Sequence, residues 1–193
     1  MDNKEDKIKE MTPSYIAAHF EEKVHADLFK FLKDNNRIDA HVPVCPDVEE
    51  AWPEIAREYL ADAAREFNQY PVVTLGWIMF VGMAMAQYWD EDWVGYANEK
   101  RFYENIREKR GFDNIDDTVL QDILHFEGEA AEKESAVVSE CASRVYSMLM
   151  REHIEPGTDT ALGCLIAALH QMYLAGMATQ LKTLGYRMTK MGE

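Results

Sequence analysis

The sequence is short of residues that break helices. Its 193 positions hold only 6 prolines and 10 glycines, too few for the many turns of an all-β chain, so an all-α fold is expected. Cysteine is scarce as well. Cys45, Cys141 and Cys164 are odd in number and form no C-x-x-C pair, which argues against a disulfide framework and against zinc-finger spacing. Basic residues are outnumbered, 20 Lys and Arg against 35 Asp and Glu, for a formal net charge of −15. A surface of that sign repels phosphate backbones and anionic bilayers, so neither nucleic acid nor a membrane is expected as a partner. Gly-rich phosphate loops and nucleophile elbows are also missing. The first ten residues are mixed in charge and hold no apolar run, unlike a secretory signal. With reduced thiols, this points to the cytoplasm.

What is abundant is helix-forming and apolar. Hydrophobic residues make up 47% of the chain and charged ones 28%, a globular composition with enough apolar material for one buried core. One domain over residues 1–193 is expected, with 1–11 as a flexible N-terminus, built as a bundle of about six helices. The first helix is expected from Pro13 to Asp34, capped by Thr12, with Ile16, Phe20, Val24, Leu28 and Phe31 on one stripe. Residues 35–46 read as a loop. Asp47 and Glu50 have the spacing of a capping box, although Pro53 offers a competing start for the second helix.

Two long runs carry no Asp, Glu, Lys or Arg: Phe67 to Trp89 and Thr160 to Leu181. Each is long enough to span a bilayer. Acids on both sides of the first run, with Asn68, Gln69 and Gln87 inside it and His170, Gln171 and Gln180 inside the second, favour buried core helices instead. The central helices are therefore expected at 71–89 and 159–189. A charged amphipathic segment, 93–110, lies between them on the periphery. A long periodic helix from Asp116 to Glu152 is also expected, with Gly128 as a possible break.

A shift of 94 superposes Gly82-Met83-Ala84 on Gly176-Met177-Ala178 and Leu75 on Leu169. A duplicated three-helix unit, giving two similar halves, would produce such matches. So would chance identity between helix-rich stretches.

For chemistry, Glu22 and His25, with His19 one turn earlier, and Asp122 and His125, with Glu129 following, have the i, i+3 spacing of helical metal ligands. His19 and Glu22, and Asp122, His125 and Glu129, point away from their apolar stripes toward solvent, so no cofactor is expected. Four other residues are less easily dismissed. On a continuous 116–152 helix, Glu127 and Glu134 fall on the apolar stripe, where a carboxylate must be paired, hydrogen-bonded or protonated. Glu66 lies near the apolar face of its helix and His170 at the edge of its own. If these four converged, they would make an interior site for a small molecule or divalent metal. Otherwise the acids pair with Arg57, Arg65 or Arg144, or sit in a solvated turn. Tyr88, Trp89, Trp93 and Tyr96 form an aromatic cluster suited to a pocket or interface, or to core packing.

Without a motif of specific spacing, the expected function is a non-enzymatic interaction or structural module. Alternatives are a small-molecule- or metal-binding helical protein, possibly an enzyme, and the ligand-binding or dimerisation part of a regulator. Two helices that are apolar all round need extensive cover, so a homodimer is expected.

Overall fold

A computed structural model describes residues 12–99 and 101–187, without the side chains of 98 and 99. The expectations for residues 1–11 and for the end of the last helix at Met188 fall outside the described residues. Among the described residues the regular structure is helical, as the composition predicts, in eight helices.

Helix α1, Pro13–Asp34, starts where sequence places it: Thr12 Oγ1 accepts the amide N–H of Tyr15 at 3.3 Å. Its buried face is Phe20, Val24, Leu28 and Leu32, an unbroken i, i+4 row. Helix α2, Pro46–Glu50, and α3, Trp52–Glu66, follow. The capping box does not form. Asp47 lies inside α2, and its Oδ2 instead accepts the indole N–H of Trp89 at 2.9 Å. Pro53 sits in the first turn of α3, where its missing N–H costs nothing.

Helix α4, Pro71–Glu99, holds the first uncharged run from Pro71 onward, and residues 74–86 are buried without interruption. It kinks at Asp92, whose backbone is extended (φ −163°, ψ 73°) and whose Oδ1 accepts the Gly95 N–H at 3.1 Å. Asp92 thus acts as an internal N-cap, so the helix continues past the charged boundary in a new direction. Helix α5 is Phe102–Arg110. Helix α6, Ile115–Asp117, runs into a π-helical turn, Thr118–Ile123. Helix α7 is Glu129–Arg151 and α8 is Asp159–Thr183, the latter capped by Thr158 Oγ1 on the Ala161 N–H at 3.2 Å.

The long helix expected over 116–152 is broken. His125 and Gly128 both take positive φ, 55° and 52°, and α7 restarts only after that glycine.

The core is the pair α4 and α8, crossing at two glycines. A Cβ on Gly82 would fall 2.1 Å from the Tyr173 carbonyl oxygen, and one on Gly176 would fall 1.9 Å from that of Met79. The two contacts are reciprocal: each glycine meets the carbonyl three positions before the other. Helix α1 lies along α8, and α7 lies along α4. The shift of 94 pairs these two glycines, but it carries Pro13–Asp34 onto 107–128 and not onto α7, so the match is confined to the crossing. Both α4 and α8 are long and apolar enough to cross a bilayer by length and composition, yet 78% and 61% of their most apolar windows are buried within the protein.

Candidate functional site

The four residues expected to converge do not share one polar centre. Glu127 is exposed, because it lies in the connection before Gly128 and not on a helix stripe. Glu134 does lie on the buried face of α7, 5% exposed, and is paired with Arg37. None of Arg57, Arg65 and Arg144 is that partner; the cation comes from the segment after α1. Glu134 Oε1 and Arg37 Nε are buried and have no hydrogen-bond partners among the described residues. Glu66 is half-buried at the end of α3. His170 pairs with a residue not singled out in the sequence, Glu21. Among the described residues no hydrogen bond or ion pair joins any two of the four, and no three His, Cys, Asp or Glu side chains are grouped to hold a metal ion.

The aromatic cluster divides. Tyr88 stacks on Tyr96 with centroids 4.2 Å apart, Trp93 on Phe102 at 5.0 Å, and Trp89 meets Tyr186 edge-on at 5.2 Å. The first contact bridges the kink within α4, and the other two tie its end to α5 and to the segment after α8. His19, Glu22, His125 and Glu129 are exposed. Asp122 is held by Arg110 at 2.6 Å.

The geometry with chemical content lies between α1 and α8. The Glu21 Oε1 atom accepts from His170 Nδ1 at 2.6 Å and from the Gln171 side-chain amide at 2.8 Å. Gln171 Oε1 in turn lies 2.9 Å from His25 Nδ1. The His170 ring also stacks on Trp52, centroids 5.0 Å apart and planes 26° apart. Its orientation is therefore fixed twice, once by a hydrogen bond and once by a ring face. Among the described residues its Nε2 makes no hydrogen bond. Beside the pair runs a groove of about 230 Å³, with Ala17, Ala18, Gly163 and Ala167 among its walls. A Cβ on Gly163 would come within 3.1 Å of the Ala17 Cβ, so the helices approach closely beside the groove.

Helix periodicity explains how Glu21 arrives there. It shares a face with Val24 and Leu28, three and seven positions on, and is held at the margin of the stripe that α1 buries. The His170 hydrogen bond holds the Glu21 carboxyl below its usual range; burial opposes this and the Gln171 amide adds to it. The folded state thus binds the Glu21 proton more weakly than the unfolded chain does. The stabilisation is full above the unfolded value near 4.5 and is lost as pH falls through the lower folded value. Glu21→Gln is expected to lower the urea midpoint at neutral pH, and the gap from wild type is expected to shrink in acid. An equal gap at about pH 3 and about pH 7 would count against the pairing.

Thiol chemistry is disfavoured. Burial pushes the Cys141 thiol up to about 12 and raises Cys45 and Cys164 as well, leaving little thiolate to attack a substrate. Comparison with protein families, with curated proteins and with solved structures finds no match.

Proposed function

We propose that this chain is a small-molecule-binding helical protein whose ligand lies in the α1–α8 groove, with His170 as its polar contact. The observation that carries the reading is the doubly fixed imidazole: Nδ1 on Glu21, ring on Trp52, and Nε2 unused. A tie between two helices needs no open space beside it. Here small side chains keep such a space open. Pre-oriented polar groups in a mainly apolar concavity are the usual mark of a ligand site.

Ala18 is exposed on the groove wall, so Ala18→Trp fills the groove without disturbing the core. Screening small aromatic fragments by NMR is expected to give ligands that shift the Gly163 and Ala167 amides. Binding of these ligands is expected to disappear in Ala18→Trp. Fragments indifferent to that change, or no fragment binding at all, would remove the reading.

A second reading has its own observation. The first half of α8 is less covered than α4: Leu162 is 52% exposed, and Leu165 and Ile166 are half-buried. A cytoplasmic homodimer, or another helical interaction module, would cover that face. Light scattering that finds only a 22.2 kDa species at micromolar concentration counts against the dimer.

A further inference from the structure

We infer that the groove takes an organic ammonium, a protonated primary amine on a short apolar or aromatic body. This rests on the groove reading above and adds the chemistry of the ligand. The argument starts from where the hydrogens of the network must lie. An ionised carboxylate only accepts, so Gln171 turns its amide nitrogen toward Glu21. Its carbonyl oxygen then faces His25, and His25 Nδ1 must be the donor across that 2.9 Å contact. His170 likewise donates from Nδ1 to Glu21. Each hydrogen of the chain thus points along it toward one carboxylate.

That direction decides what is left for a ligand. A neutral His170 with its hydrogen on Nδ1 carries a lone pair on Nε2. The second carboxylate oxygen, Glu21 Oε2, also takes no hydrogen bond among the described residues. Both residues line the groove. Their unused atoms are two acceptors, one of them charged, and the remaining polar groups of the lining side chains are the Ser14 hydroxyl and the Trp52 indole N–H. An anion would meet Glu21 within a protein of net charge −15. An alcohol could serve only one acceptor with its single hydrogen. An ammonium brings three donors and the matching charge, and a charge-assisted bond is about twice as strong as a neutral one.

The rest of the groove limits the body of that ligand. Its wall is mainly Ala17, Ala18, Gly163, Ile166 and Ala167, with the Trp52 ring at one side. Its volume of about 230 Å³ is below the roughly 300–1,000 Å³ usual for drug-sized ligands. One ring or one short chain fits.

Benzylamine, benzyl alcohol and benzoate share a ring and differ in head group. They are to be titrated into the full chain near pH 8. Benzylamine is expected to bind about tenfold more tightly than the alcohol, shifting the Gly163 and Ala167 amides and the Trp52 indole resonance. Benzoate is expected not to bind. Glu21→Gln is expected to reduce benzylamine to the affinity of the alcohol. Glu22→Gln, at the exposed neighbouring position, is expected to leave it unchanged. The alcohol or benzoate filling the groove as tightly as the amine would overturn the ammonium assignment and leave the groove reading standing. Silence of the groove toward all three would overturn both. The head-group comparison needs only the wild-type chain, so it decides the matter even if Glu21→Gln folds poorly.

Discussion

Gly176→Ala is expected to destabilise the protein by about 3 kcal/mol or more, the upper end for overpacking a core. The new methyl carbon would lie 1.9 Å from the Met79 carbonyl oxygen and 3.2 Å from its Cα. Both are backbone atoms of the opposing helix, so no rotamer change relieves the clash; α4 and α8 must move apart along their buried lengths. Gly82→Ala meets the Tyr173 carbonyl in the same way, at 2.1 Å. For a chain of this size a loss of that order lowers Tm by about 10 °C. Gly76→Ala is the informative contrast. Its added methyl would meet side chains alone, Val138 at 3.3 Å and the Ala142 Cβ at 4.0 Å, and alanine gains about 1 kcal/mol of helix propensity over glycine, so stability is expected to change little. Urea unfolding that places Gly176→Ala within about 1 kcal/mol of wild type would show that the two backbones do not cross this closely.

Arg37→Met carries the second large expected effect, a loss of about 3 kcal/mol. The carboxylate it abandons, Glu134, is only 5% exposed, and one of its oxygens has no hydrogen-bond partner among the described residues. Removing the cation leaves a buried charge uncompensated, and that costs far more than the intact pair contributes. The double variant Arg37→Met with Glu134→Gln is therefore expected to regain most of the loss, because the charge has gone with its partner. Urea midpoints for the two singles and the double make a complete cycle. Additive losses would mean that Arg37 supports the fold by some means other than the pair.

The helices were legible in sequence where local chemistry decides them. Thr12-Pro13 and Thr158-Asp159 are start signals that act within one turn, and both helices begin there. The uncharged runs were legible as core because burial of α4 and α8 needs no knowledge of topology. The connection at 124–128 was less so. Gly128 was visible as a possible break, but the positive φ at His125 and the π turn before it were not, and with them went the placement of Glu127. Asp47 shows the opposite failure: its capping spacing was real, but a tertiary hydrogen bond to Trp89 claims the side chain. For the candidate site, His170 could be found as a polar residue at the edge of an apolar helix. The same test applied to α1 would have found Glu21, which shares a face with Val24 and Leu28. That the two meet depends on α1 lying along α8, about 149 positions away in sequence, and no periodicity encodes that.

The glycine crossing also governs the order in which the protein can be made. Position 176 follows position 82 by 94 residues, so α4 leaves the ribosome long before the helix that closes over it. At about 5–20 residues per second that interval is on the order of 5–20 s. Throughout it, the stretch 74–86, which carries no charge to keep it in solution, lacks its final cover. Synthesis at low temperature or with chaperones present is then expected to raise the soluble yield, and refolding is expected to lose yield as protein concentration rises. The vulnerability is one of timing, set by how far apart along the chain the two halves of the core were placed.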